Sequence, residues 1–480
     1  MSNHDKASRS DLARRLGVFH LFAMAFGMIV GVGWITVAGV WIADGGSLGS
    51  IAMFGLGWMF MCLIVLCYAE IAAMFPVAGG EVPYVYRILG TAPAFLAGWF
   101  LALVYISVTA FEAISIAWVL SAMFPGLEGP VLYSVLGTDV DLHSLLIGLA
   151  GMAVVTGINY IGVRQAAAFQ SVMVYSLLVV VAVFVTAGIL AGDPANLAPA
   201  FGAPGTQGVS WLGLLAVFAV TPFWFSGFDI VPQALGERNE DFDLSRLPRI
   251  LLGSITVALV LYCLVILAAT LSMPREALLA ADLPPAAAIG AALESEWWAR
   301  AVLFGGLLGL ISTWNAIFYG ATRLIYALGR AHLIPRAFGF VHARHRTPHV
   351  AICFVGAVGG LGAFMGKEAI IPIVNIGATI LSTLFLIISI GVIVLRRRMP
   401  SYHRPYRVQG FPWLPGVAAL FAAAMLILSL ITPLEDAQGI PVEWWILGGW
   451  LVLGLLFWRL ASRTRVSLSE AEREARLLHG

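Results

Sequence analysis

Two stretches of this chain put glycines where a long apolar helix least tolerates them. One reads Phe26-Gly27-Met28-Ile29-Val30-Gly31-Val32-Gly33-Trp34-Ile35-Thr36. The other reads Thr221-Pro222-Phe223-Trp224-Phe225-Ser226-Gly227-Phe228-Asp229-Ile230-Val231-Pro232. A break inside an apolar helix frees amide N–H groups at the start of one half-helix and carbonyls at the end of the other. The amide end carries positive dipole and suits a carboxylate; the carbonyl end suits an ammonium or a metal cation. Two facing breaks would make a pocket for a small zwitterion or amine. The alternative is that the glycines serve only close helix packing. The candidate substrate contacts are Val30, Gly31, Val32, Gly33 and Trp34, with Trp224, Phe225, Ser226, Gly227, Phe228 and Asp229 opposite them.

Other polar groups interrupt apolar runs. Asp229 directly follows the second break, where it would meet a substrate amine, support the unwound backbone or cap a helix. Glu112, in Phe111-Glu112-Ala113, would carry a proton or pair with an internal polar group. Ser312 and Thr313 could supply hydroxyl oxygens to a sodium site completed by carbonyls around Met28 and Gly31, or bond their own backbone. Proton coupling through Glu112, sodium coupling and exchange all stay open. Trp34, Trp224 and Trp314 sit deep enough to gate the pocket or face an ammonium, although packing is the simpler role for Trp314.

The elements that carry these residues follow from composition. Of 480 residues, 60% are hydrophobic and 11% charged, against about 25% charged in soluble chains. This excludes a soluble enzyme, a nucleic-acid binder and a disordered chain. Twelve apolar stretches are long enough to span a bilayer, near 17–42, 48–74, 93–122, 142–163, 168–192, 211–236, 247–272, 298–328, 348–366, 369–395, 411–432 and 441–460. They lack the alternation of a barrel strand, so the expected fold is an all-α polytopic membrane protein. Gly31 lies 14 residues past the start of span one and Gly227 lies 16 past the start of span six. Matching breaks five spans apart fit an inverted five-helix repeat.

Placing the basic residues on twelve spans puts 24 of the 27 on the side of both termini. Only Arg275, Arg300 and Lys367 fall opposite, where Glu128, Asp139, Asp141, Asp193, Glu435, Asp436 and Glu443 lie. That asymmetry predicts cytoplasmic termini. The first sixteen residues are polar and are not expected to be a signal peptide. Residues 461–480 read as a short exposed helix at most. Cys62, Cys67, Cys263 and Cys353 all fall inside spans and are expected to be buried apolar side chains rather than a disulfide framework. Trp41, Trp211, Trp297, Trp298, Trp444 and Trp445 read as interface anchors. His332, His342, His345 and His349 share a loop with Arg336, Arg344 and Arg346, which favours a basic lipid-facing loop over a metal site. Arg396, Arg397 and Arg398 form a cytoplasmic stop.

Four stretches resemble the amino acid–polyamine–organocation transporter superfamily, specifically its amino acid permeases. They are Gly31-Val32-Gly33; Tyr68-Ala69-Glu70 through Phe75-Pro76 to Gly79-Gly80; Asn159-Tyr160-Ile161-Gly162-Val163-Arg164 with Gln170; and Ser312-Thr313-Trp314-Asn315 through Arg323 to Arg330. With Phe225 to Asp229, the resemblance covers roughly 15–400. It implies the fold of the sodium-coupled leucine transporter. Residues 17–192 and 211–395 would be inverted repeats of five helices, with 411–460 as two accessory spans. Residues 1–16 and 461–480 would be a cytoplasmic segment and tail. Helices 1, 2, 6 and 7 would rock against helices 3, 4, 8 and 9, with substrate between the breaks. The family's usual first break reads Gly-Ser-Gly-Ile-Phe. Val32 and Trp34 depart from it, and a bulky Trp34 would narrow the pocket. Some relatives hold a lysine in span five where others hold sodium; Ala168 to Leu190 contains none. Heteromeric relatives join a glycoprotein through a cysteine between spans three and four; residues 123–141 have none, so no disulfide-linked subunit is expected.

The leading reading is a secondary active transporter for an amino acid or related amine in the cytoplasmic membrane, with no cofactor or metal and with lipid as its surroundings. A neutral amino acid suits dipoles at both ends. A polyamine or cationic substrate would want more acid than Asp229 and Glu112, and an ethanolamine-type amine stays open, as does a non-transporting sensor on the same fold. No catalytic motif, repeated ion filter or phosphate loop supports an enzyme, a channel or an ATP-driven pump.

Overall fold

The computed structural model of the chain describes residues 18–77, 79–127, 129–162, 166–202, 209–235, 238, 241–435 and 439–478. The expected amino-terminal segment 1–16, Glu128, Arg164, Asp436 and the Gln170 side chain lie outside the described residues.

In hydrocarbon a helix satisfies its own backbone hydrogen bonds, so the apolar runs become helices. Span one is α1 (Val18–Ile29), α2 (Gly33–Thr36) and α3 (Ala38–Gly45); span two is α4 (Ser47–Met74). A short helix, α5 (Glu81–Leu89), leads to span three, α6 (Thr91–Met123). A hairpin of β1 (Val131–Val135) and β2 (Thr138–Asp141) precedes span four, α7 (Leu142–Ile161), and α8 (Ala166–Leu190) is span five. Span six is split into α9 (Trp211–Trp224) and α10 (Ile230–Ala234). Span seven is α11 (Leu247–Ser272); the short α12 (Arg275–Ala280) and α13 (Pro284–Ala292) precede α14 (Glu296–Arg330), span eight. Then come α15 (His349–Leu361), α16 (Ile370–Arg398), α17 (Trp413–Glu435) and α18 (Val442–Leu460), and the tail forms α19 (Ser462–Val466) and α20 (Glu470–Leu478).

Ten helices among the described residues are long and apolar enough to cross a membrane, and two shorter apolar segments, Trp211–Trp224 and His349–Met365, stand where spans six and nine are expected. Helices α1, α4, α9 and α11 pack on one another, as do α6, α7, α14 and α15. The outer surface is apolar: Val179, Leu190, Leu420 and Val452 are each more than 60% exposed, a surface that lipid covers and water does not. This is an all-α, multi-pass membrane protein apart from the one hairpin.

Four expectations need correction. Trp41 is not an interface anchor: at 1% exposed, it stands edge-on to Phe54, Trp224 and Tyr262, because α3 turns inward behind the break. Trp211, Trp297 and Trp445 do face outward. Of the cysteines only Cys67 is buried; Cys62 and Cys263 are half-buried and Cys353 is exposed, since a thiol is as compatible with lipid as with a protein core. Glu443 is not an exposed loop acid but is buried at the start of α18, accepting a hydrogen bond from Asn375 at 2.9 Å. The tail is not simply exposed. Arg473 and Leu477 are buried, Glu474 pairs with Arg87 of α5, and Arg476 donates to the Arg330 carbonyl at 3.0 Å. The hairpin was not anticipated; its turn, Leu136-Gly137, has positive φ at both positions, for which Gly137 is the cue in the sequence.

Two clusters fasten the ends. On one side, buried Glu70 of α4 accepts from Arg396 Nε at 2.8 Å and Nη2 at 2.5 Å, and from the Val408 N–H at 2.7 Å, with Arg404 Nε at 3.2 Å. On the other, Arg275 aims its guanidinium at the carbonyls of Ile42, Ala43, Pro199 and Gly202. Arg396, one of the three arginines that end α16, thereby ties α16 to α4. Glu70→Ala leaves two nearly buried guanidiniums without their anion and should cost about 3–5 kcal/mol. Thermal unfolding in detergent, followed by tryptophan fluorescence, checks this; an unchanged midpoint would contradict it.

Candidate substrate site

The first break is Val30-Gly31-Val32. The Val30 N–H still reaches the Phe26 carbonyl at 2.9 Å, and helical bonding resumes when the Ile35 and Thr36 N–H groups reach the Val32 carbonyl at 2.9 and 3.2 Å. The amides opening α2 therefore have no preceding turn to bond. The second break runs from Phe225 to Asp229. Gly227 has φ 116°, a left-handed conformation that a side chain strains. A Cβ there would also lie 2.8 Å from the Ile29 nitrogen and 3.0 Å from the Met28 carbonyl carbon. The two breaks therefore touch backbone to backbone. α10 is only five residues long, so its dipole is that of little more than one turn. The column that opens at Gly33 and continues to Gly45 is the longer one.

Tyr262, at the middle of α11, joins the breaks. Its hydroxyl donates to the Ile29 carbonyl at 2.9 Å and lies 3.3 Å from the Trp224 carbonyl. Both carbonyls end half-helices and would otherwise be unsatisfied. Trp224 lies across Gly33, where an added Cβ would come within 2.2 Å of its ring. Trp41 packs on Trp224, and Trp34 lies 6.2 Å from Phe184, ring to ring.

Glu112 and Thr313 converge on Gly31. A Cβ at that position would lie 3.1 Å from Glu112 Oε1 and 3.0 Å from Thr313 Oγ1. Thr313 donates to the Gly27 carbonyl at 2.9 Å. Glu112 Oε2, Ser312 Oγ and the Nε1 atoms of Trp34, Trp41, Trp224 and Trp314 are buried with no partner among the described residues. Each such group costs about 1–3 kcal/mol if left dry, and all but that of Trp314 belong to the two breaks or to residues packed beside them. Asp229 accepts from the Gly227 N–H at 2.7 Å and from the Tyr105 hydroxyl, so it supports the unwound backbone. Ser226 donates to the Phe223 carbonyl at 2.7 Å. Val30, Val32, Trp34, Phe225 and Phe228 are buried; Gly31 and Ser226 alone among the eleven candidates keep partial accessibility. Trp314 packs against Gly151 of α7, away from the breaks.

Two of the recognised stretches meet: Asn159 donates to Asn315 at 3.1 Å, tying α7 to α14. The histidines do not gather at the site. His342, His345 and His349 lie ring to ring, while His332 Nδ1 contacts the Thr464 carbonyl. Among the described residues no group of three or more potential ligands is placed to hold a metal ion. Sequence reasoning missed Tyr262, Tyr105 and Gln233. Their only cue was a polar group in an apolar or broken run.

The amino acid permease family matches residues 16–457. The branched-chain amino acid permease of Bacillus subtilis (strain 168) is 30% identical over 476 residues, covering 97% of this chain and 96% of that protein. The methylthioribose transporter of the same organism is 28% identical over 472 residues, covering 97% of both. The human Asc-type amino acid transporter 1 is 26% identical over 490 residues, covering 97% of this chain and 86% of that protein.

Gly227→Ala should lower the unfolding midpoint sharply, because the left-handed backbone alone costs about 1–2 kcal/mol before the clash with Ile29 is counted. Gly448→Ala, inside α18 where an added Cβ meets nothing within 4 Å, should hold the midpoint or raise it slightly. Equal midpoints for the two variants would refute the backbone contact between the breaks.

Proposed function

Because this chain belongs to the amino acid permease family, whose members are transporters and not enzymes, we propose that it is a secondary active transporter moving a neutral amino acid by alternating access. The observation that carries this reading is the facing pair of breaks bridged by Tyr262, with unpartnered polar atoms around it. The substrate carboxylate meets the free amides of Gly31 to Gly33. The ammonium lies toward the carbonyl end of α9 and Ser226. An apolar side chain is covered by Val32, Trp224 and Phe228. Branched-chain specificity is what the name of the Bacillus subtilis permease states of that protein; the aromatic lining here suits the same chemistry.

In this reading spans 1–5 and 6–10 are inverted repeats and the last two spans are accessory. The membrane is the cytoplasmic one, with both termini inside, in accord with the basic residues. Glu112 carries the coupling proton, since its carboxyl sits against Gly31 with one oxygen unpartnered. Sodium held by Ser312, Thr313 and the carbonyls near Met28 and Gly31 is the competing route. The same Glu112 geometry favours a second reading, in which the acid meets the cationic end of an amine or a basic amino acid.

Uptake into proteoliposomes separates these. With labelled leucine, arginine and ethanolamine offered under separate proton and sodium gradients, leucine uptake driven by a proton gradient is expected. Glu112→Gln should abolish the dependence on that gradient, and Gly31→Leu should reduce uptake at least tenfold in folded protein. Arginine or ethanolamine uptake alone would establish the second reading, and no uptake under any gradient would overturn both.

A further inference from the structure

Glu81 opens α5, outside the spans, yet its side chain is only 1% exposed. Its Oε1 accepts from the Tyr68 hydroxyl of α4 at 2.7 Å, and its Oε2 has no partner among the described residues. A second acid, Asp229, belongs to the same interior. Between them stand Tyr105 of α6, which donates to Asp229, and Gln233 of α10, which donates to the Tyr105 hydroxyl at 2.5 Å. Gln233 also packs on Gly80, the neighbour of Glu81: a Cβ there would lie 2.7 Å from its Cγ. The Tyr84 hydroxyl is buried without a partner on the same helix. A polar seam thus runs from the unwound part of span six to the loop helix beside Arg87, on the side richest in basic residues.

Donor chemistry divides the two acids. Asp229 has an N–H and an O–H donor, one for each oxygen. Glu81 has one side-chain donor, Tyr68, beside its own backbone N–H, and its Oε2 stays bare in a fully buried place, which penalises an anion more than a neutral carboxylic acid. The groups around it are Tyr68 of α4, Tyr105 of α6, Gln233 of α10, Asp229 and, on α5 itself, Tyr84; α16 and α20 also pack on α5, bringing Arg398 to the Ile88 carbonyl, Glu474 to Arg87, and Glu470 and Arg473 near Tyr86. The nearby cations are engaged elsewhere: Arg396 and Arg404 with Glu70, Arg398 with the Ile88 carbonyl, Arg87 with Glu474, and Arg238 with the Pro76 carbonyl.

We propose that Glu81 is a proton-binding gate residue, protonated while α5 is seated against α4, α6 and the span-six break. When α5 unseats, its proton passes to water entering from the cytoplasmic side. The link to substrate release rests on the transport reading; the protonation of Glu81 does not.

Burial and the neighbouring Asp229 push Glu81 from its ordinary 4.5 to about 8. The seated helix therefore holds its proton where a hydrated Glu81 has lost it. Between those two values each unit of rising pH disfavours the seated arrangement about tenfold, and above about 8 the loss is complete.

Hydrogen–deuterium exchange of the full chain in nanodiscs, read on the amides of α5, tests this without any substrate. After correction for intrinsic rates, exchange should rise at least tenfold between about pH 5.5 and 7.5. Glu81→Gln keeps an acceptor for Tyr68 and stays neutral, so it should be protected equally at both. Tyr68→Phe removes the donor that favours the carboxylate and should move the rise to higher pH, which decides the matter if the glutamine variant is unstable. A flat wild-type response, an identical rise in Glu81→Gln, or no shift in Tyr68→Phe would overturn the proposal. Failure here leaves leucine uptake unaffected, and absent uptake leaves this result unaffected.

Discussion

A peptide group inside hydrocarbon has no water to bond, so every turn of helix that is undone must find a partner within the protein. Two spans are undone here, and the solution is to undo them against each other. Tyr262 serves carbonyls from both, Asp229 takes the Gly227 amide, and Thr313 takes the Gly27 carbonyl. The supporting groups come from α11, the second break itself and α14. Two further segments, α11 and α14, are thus tied to the breaks through a handful of backbone atoms. What they leave unsatisfied among the described residues are the amides opening α2 and one carboxyl oxygen of Glu112.

Charges are distributed by the same rule. Glu70, Glu112 and Asp229 are all about 1% exposed, yet each is treated differently. Glu70 meets two guanidiniums and an amide, which makes it a fastening. Asp229 meets neutral donors and braces unwound backbone. Glu112 meets a glycine and keeps an oxygen free. Identical burial therefore goes with three different sets of partners: two guanidiniums and an amide for Glu70, two neutral donors for Asp229, and a bare oxygen for Glu112.

The breaks were legible because glycines and a Pro222 in an apolar run are local signals, and their five-span spacing survives in one dimension. The break residues Gly31 and Gly227 and the position of Asp229 followed from that, and the helices from the length of the apolar runs. Tyr262, Tyr105 and Glu81 were not legible, because their partners lie 233, 124 and 13 residues away and a lone hydroxyl or acid carries no address. Trp41 was misread for a related reason. Its position near the end of an apolar run matches an anchor, but span one does not end there in space; α3 lies behind the break, with Trp41 against Trp224. Cys353 erred the other way, because an apolar run says that a residue is away from water, not whether lipid or protein surrounds it.

Arg275 spends its charge on backbone carbonyls. Its guanidinium joins the end of α3 (Ile42 and Ala43) to the loop carrying Pro199 and Gly202, while the Leu48 and Gly49 amides reach Ala200 at 3.0 and 2.9 Å. The top of span one, the start of span two and the loop after span five are thereby one piece. Contacts that share their segments in this way hold one another: with one released, the others still fix the same carbonyls, so this corner loosens as a unit rather than piecemeal.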